Sequence, residues 1–272
     1  MANNKITDQI IKSADRLTLY NLVDNTIMAT VNQLQSVTID NSQETVWYSG
    51  KSGQKIAGFD RNKAVEMTAS NGYIDIGYLG AQTGSDVEVY DGVTKFIYSP
   101  YIDEIETADG ITAKTSYTAY SAATGAEIAY IYKLHGSGIV GAEKFTQDSA
   151  ADATHFAYDP ATGIIDLPTG VFDAGEILVA QYNYRASGTG IVNNSDSFSK
   201  SAKGVLDLTT QDICTDEITH SQFIFYKCKV DGNFSISIGD SPAVHQIKLS
   251  STASTCFGAN RNLFDYNLVN PV

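Results

Sequence analysis

Residues 44–84, ETVWYSGKSGQKIAGFDRNKAVEMTASNGYIDIGYLGAQTG, constrain the fold more than any other part of the chain. Residues 44–49 alternate Val46 and Tyr48 with Thr45 and Trp47, the period of a strand. Gly50, Lys51, Ser52 and Gly53 come next, two glycines bracketing two polar residues, which is hairpin chemistry. Strands are expected at 54–59 and 63–69. A helix is expected at about 73–82, capped by Ser70 or Asn71 and stopped at Gly84. A long hairpin with a charged tip beside a lone helix is a surface suited to touching another copy of itself.

The bulk numbers agree with a folded, strand-rich protein. Hydrophobic residues make up 43% of the 272 and charged residues 18%, the balance of a globular chain and not of a disordered one. Sixteen Tyr and 22 Gly against 5 Pro favour many strands and tight turns. A formal charge of −13 argues against tight binding to DNA phosphates and keeps a concentrated protein soluble. The N-terminus has neither a basic nor an apolar signal region, and no window approaches a membrane span, so cytoplasmic synthesis without membrane insertion is expected.

Further along, strand-like runs are expected at 16–22, 26–31, 34–40, 87–90, 94–99, 111–120, 127–133, 156–158, 164–167, 205–213, 222–230, 233–238, 244–250 and 263–269. EILVAQYNYR at 176–185 is the clearest strand of all. Residues 1–15 read as a polar arm with a short helical stretch at 8–14. The whole reads as mainly β, a β-sandwich or barrel with one short flanking helix and a long hairpin extension. No linker marks a boundary, so the expected organisation is an arm at 1–15 and one domain over 16–272, with its hairpin at 44–69, helix at about 72–83 and C-terminal strand or arm at 259–272.

Candidate chemistry is thin. Tyr132-Lys133-Leu134-His135-Gly136-Ser137-Gly138-Ile139-Val140-Gly141 contains GxGxxG and is echoed 52 residues later at 184–193. A dinucleotide site needs an amphipathic helix after that turn, and 142–154 has no helical stripe, so a glycine-rich strand exit is the better account. His135, His155, His220 and His245 show no metal-ligand spacing. Cys214, Cys228 and Cys256 are odd in number with no CxxC pair, and read as buried thiols. Cys214 with His220 has the residue types of a nucleophile and base, but nothing in the spacing brings them together. Acid runs such as Asp103-Glu104-Ile105-Glu106 are expected by chance among 31 carboxylates. No catalytic residue, cofactor or metal is expected.

Lys51, Lys55, Arg61 and Lys63 are four of only 18 basic residues, gathered within thirteen positions. They read either as a lysine-blunted hairpin edge or as a positive projection that docks on an acidic face of a neighbouring subunit.

These pieces resemble the tail tube (major tail) proteins of long-tailed double-stranded DNA bacteriophages. The resemblance rests on the hairpin with its Gly53–Ala57 strand, Phe59-Asp60, Thr68-Ala69-Ser70-Asn71 and the helix ending Ala81-Gln82-Thr83-Gly84. It continues at 156–184, in YKCKVDGNFSISI at 226–238 and in the terminal 263–269. It implies a virion structural protein without enzymatic activity, whose copies close into rings, six to a ring, that stack into a hollow tube. The implied partners are the protein itself, a tape-measure protein, a tail terminator and baseplate or tip proteins, with DNA passing through without sticking. By the same resemblance, Gly50, Lys51, Ser52 and Gly53 at the hairpin tip and both termini would contact the adjacent ring, and the docking reading of the basic cluster adds Lys55, Arg61 and Lys63 to that contact.

Two other classes fit the composition. A capsid shell or decoration protein is also acidic and self-assembling, although no long spine helix is evident. A β-sandwich receptor-binding module suits the tyrosine content, but neither a secretion signal nor a coiled-coil stem accompanies it.

Overall fold

The computed structural model describes residues 9–134, 140–236, 244–253 and 262–269. Among these the chain is mainly β, with one short helix, as the alternation of its apolar residues requires. It divides into two compact units, residues 1–87 with 191–272 and residues 88–190, where the sequence reading has one domain from residue 16.

The first unit is built on a sheet of β1 (Gln9–Asn21), β2 (Ile27–Val31), β3 (Leu34–Ser49) and β4 (Lys55–Asn71) with three strands from its second segment. The strands of the other unit intervene in numbering, so those three are β14 (Ser201–Asp212), β15 (Ile218–Val230) and β16 (His245–Ser251). The strand order is β2-β1-β14-β15-β16-β4-β3, and β17 (Asp265–Val269) pairs with β15 beside β16. β14 shows why the sheet has one packed face. Ala202, Leu206, Leu208 and Thr210 point inward and are buried, while Lys203, Val205, Asp207 and Thr209 alternate outward. Leu17, Leu19, Met67, Phe225, Ile247 and Leu249 complete the core. Fully burying side chains of this size is worth roughly 1.5–3 kcal/mol each.

The helix, α1 (Ile76–Thr83), lies against this core through Tyr78 and Ala81. Its N-cap is Asp75, whose carboxylate accepts from the Tyr78 amide at 2.7 Å, and not Ser70 or Asn71, which continue β4. β4 outruns the expected cap because both residues have ladder partners: Ser70 pairs with Gln246, and Asn71 with His245. Gly84 ends the helix at φ +79°, as expected; a Cβ there would strike the backbone of Phe198.

The 8–14 stretch is no helix where it is described. Gln9–Ala14 lie in β1, paired with β14 from Gln9↔Asp212 onward. Nor is the C-terminal strand a free arm, since Asp265–Val269 register with Ile224–His220. The strands expected at 34–40 and 44–49 merge into β3, and those at 54–59 and 63–69 into β4, which runs through 60–62 without a break. Residues 233–236 carry no strand, and the rest of the 233–238 expectation lies outside the described residues.

The second unit begins and ends on a two-stranded ladder, β5 (Glu88–Tyr90) with β13 (Gly188–Gly190). Between them runs a seven-stranded sheet: β6 (Ile97–Glu106), β7 (Thr112–Lys114), β8 (Ile128–Leu134), β9 (Val140–Gln147), β10 (His155–Asp159), β11 (Ile164–Asp166) and β12 (Ile177–Ala186), in the order β6-β12-β8-β9-β10-β11-β7. Ile128, Ile131, Phe156, Ile165, Leu178 and Ala180 form its own core. Asp103, only 3% exposed, is held by Tyr182 Oη at 2.7 Å and by the Ser116 amide and hydroxyl at 2.7 and 2.8 Å. Burial and that carboxylate push the Tyr182 phenol well above its ordinary value.

Candidate assembly interface

The hairpin of β3 and β4 pairs from Leu34↔Asn71 to Ser49↔Lys55, and only its proximal part belongs to the packed sheet. Inward alternation begins at Val65, where β16 joins β4 through Ser251↔Val65. Residues 51–64 are exposed throughout, so the distal hairpin stands free on both faces of the unit. At its turn, the Gly50 amide donates to the Gln54 carbonyl at 2.7 Å and the Gly53 amide to the Gly50 carbonyl at 2.9 Å, with Gly53 at φ +77°.

This free segment is apolar as well as charged. Trp47, Tyr48, Ile56 and Phe59 are 51, 60, 73 and 62% exposed. Tyr48 and Phe59 meet edge to face at 5.3 Å on one side; on the other, Trp47 lies across Gly58 with Lys55 Nζ 4.6 Å from its ring centre. Large aromatics grouped on a solvent-facing strand pair are the mark of a surface that is covered by a partner.

The basic residues expected to act together divide into two kinds. Arg61 is paired with Glu44 at 2.7 Å, and Asn62 donates to the same carboxylate at 2.8 Å. These bonds hold Glu44 below the usual carboxylate range. Thr45 and Asp60 bond beneath them at 2.6 Å, so this end of the hairpin is fixed by its own polar pairs. Lys51 and Lys63 make no ion pair among the described residues, and Lys55 rests on Trp47. Gly50 is half-buried, and Lys51, Ser52, Gly53, Lys55, Arg61 and Lys63 are exposed. The aromatic and aliphatic members were readable as strand alternation; their exposure was not, because alternation alone does not say that both faces are bare. β3 is also a 16-residue strand at the sheet's edge, so its outer backbone groups are available for pairing.

The other candidates separate. Residues 135–139 lie outside the described residues, and the chain continues from there into β9, a strand, in place of the helix a dinucleotide site needs. Asp159 accepts from the Ala161 amide and the Thr162 hydroxyl and shapes its own turn. His220 sits opposite Thr209 in the β14–β15 ladder while Cys214 lies in the turn beyond, so the register does not join them. Cys214 is exposed, contrary to expectation; Cys228 is buried, its thiol pushed up to about 12 by that burial; Cys256 lies outside the described residues. Among the described residues no cluster of three or more metal-ligating side chains occurs, and no helix is long and apolar enough to cross a membrane.

No curated protein matches the chain. The profile of the YomU/Tube protein family matches residues 9–263, which takes in the hairpin, the helix and all of the described chain but residues 264–269. A mainly β chain with a free aromatic hairpin and a family match over nearly its whole length is in keeping with a structural component of a phage tail, and the chain belongs to the YomU/Tube protein family.

Proposed function

We propose that this protein is the tail tube subunit of a long-tailed phage, a structural and non-catalytic chain whose copies close into rings, six to a ring, and stack into a hollow conduit for DNA. The observation that carries the reading is the free hairpin within a chain of tube-family membership. Trp47, Tyr48, Ile56 and Phe59 supply the area to be buried against the next ring, and Lys51 and Lys63 supply the steering charge. A net −13 per subunit favours sliding of DNA over adhesion to it. The tape-measure protein, the tail terminator and baseplate or tip proteins are the partners this role requires. The subunit is made in the host cytoplasm and resides in the virion tail.

The test is electron microscopy and sedimentation of the concentrated full chain beside its Lys51→Glu/Lys55→Glu and Trp47→Ala/Phe59→Ala variants. Hollow tubes of uniform bore from the parent, with short or absent tubes from both variants, are expected. Tubes unaffected by either variant would remove the hairpin from the interface. Closed shells would overturn the tube reading in favour of a capsid role.

A further inference from the structure

Ten of the sixteen tyrosines fall in residues 88–190, and three of them face one groove that the assembly role does not use. In β12 the side chains of Gln181, Asn183 and Arg185 point to one face, and the ladder sets Tyr98, Pro100 and Ile102 of β6 beside them. On the other flank Gln181 pairs with Tyr130 of β8. A bulge comes immediately after, between Gln181 and Tyr182, and the β8 pairing ends at Ile128. Beyond it, the segment of Ala119 and Tyr120 takes over the edge of β12, through the Ala119–Tyr184 bridge and a 2.7 Å bond from the Tyr120 amide to the Asn183 carbonyl.

That exchange of partners opens a groove of about 390 Å³. Tyr98 and Tyr120 form one wall, ring centres 5.7 Å apart, and Tyr130 forms the other. Small residues, Ser121, Ala122, Ala126 and Ala129, keep the space between them open. The walls are held in place: the Arg185 guanidinium lies 3.7 Å from the ring centre of Tyr120 and 4.1 Å from that of Phe96, and Lys144 Nζ lies 4.3 Å from that of Tyr130. At the rim, Glu127 is fixed by the Gly125 amide and by Gln147 at 2.7 Å. The side-chain amides of Gln181 and Asn183 are exposed and have no hydrogen-bond partner among the described residues.

We infer that this groove is a binding site for an uncharged saccharide chain. Tyr98 is exposed and Tyr120 and Tyr130 are half-buried, so the walls present aromatic surface that accepts the apolar C–H faces of pyranose rings, and two unengaged amides offer both donors and acceptors to hydroxyl groups. Fourteen acidic and five basic residues lie in 88–190, so the unit repels polyanions, and an anionic polymer is the wrong ligand. An aliphatic peptide or a lipid is a poor match for a groove whose free valences are amide groups.

The test uses the full chain in affinity electrophoresis through gels containing a soluble β-glucan, dextran, galactomannan or, separately, polyglutamate. Retardation by at least one neutral polysaccharide is expected. Tyr98→Ala and Tyr130→Ala should each weaken it about tenfold, the worth of one aromatic contact. Tyr98 is 52% exposed, so the melting temperature should hold in that variant. Gln181→Ala/Asn183→Ala should weaken retardation without touching a ring. The inference is overturned by retardation in no neutral gel, by retardation in polyglutamate alone, or by retardation that survives in all three variants. It is likewise overturned if the variants change only self-association in sedimentation, which would make this face a contact between copies.

Discussion

Gly58 stands directly opposite Trp47 in the β3–β4 ladder, and the indole covers it: a Cβ at position 58 would meet Cζ3 of Trp47 at 3.1 Å and Cγ2 of Thr45 at 3.2 Å. The glycine lets the largest exposed side chain of the hairpin lie flat, where Lys55 can seat on its ring. Gly58→Val should lift the indole away from the strand. Since residues 51–64 are exposed, the melting temperature should shift little while assembly weakens. A thermal melt paired with sedimentation of the variant checks both halves.

Tyr78 satisfies the Lys248 amide where the β15–β16 ladder ends. Its hydroxyl accepts from the Lys248 amide at 3.0 Å, one residue past the last β15–β16 pair, and donates at 3.3 Å to the Lys248 carbonyl, which also accepts from the Asp231 amide at 2.9 Å. Burial raises this phenol far above its ordinary value. Tyr78→Phe keeps the packing and strands the amide, so a loss of about 1–3 kcal/mol is expected in denaturant unfolding.

His245 is expected to make the first unit sensitive to acid. It is buried, bonded through Nε2 to Gln82 at 2.7 Å, and its Nδ1 has no partner among the described residues. Burial holds its pKa below the ordinary imidazole value, against a weaker upward pull from Asp75. The neutral form is therefore the folded one. Its stability is intact above about pH 6.5 and is lost as pH falls from there through the depressed folded-state value, by at most about 1.4 kcal/mol per pH unit. Melting temperatures between pH 7.5 and 5 should fall more steeply for the parent than for His245→Asn. Equal slopes would remove His245 as the cause.

Deleting residues 1–14 should cost stability as well as assembly. Gln9–Ala14 pair with Thr210–Asp212 and their neighbours, so the truncation leaves that end of β14 with an unpaired edge. A melting temperature equal to that of the intact chain would show that this end of β1 contributes little.

Much of this protein was written in its alternation. The one-faced pattern of β14, the run at 176–185 and the turn at Gly50–Gly53 each arise from side-chain period and from glycine's access to positive φ, which are local properties. The end of α1 at Gly84 was equally local. Its beginning was not: Ser70 and Asn71 are good caps by type, but cross-strand partners in β16 hold them in β4, and Asp75 caps instead.

What the sequence alone determined was an acidic, mainly β chain with a long hairpin, because composition and period need no knowledge of neighbours. Tertiary structure decided the rest. Val65 lies within a single strand, yet the residues before it are bare and alternate ones after it are buried, since β16 arrives only there. Tyr98, Tyr120 and Tyr130 are strangers in sequence that share a groove because β8 yields the edge of β12 to another segment. Which face is covered, and by what, depends on pairings between distant segments, and those are settled only when the whole chain has packed.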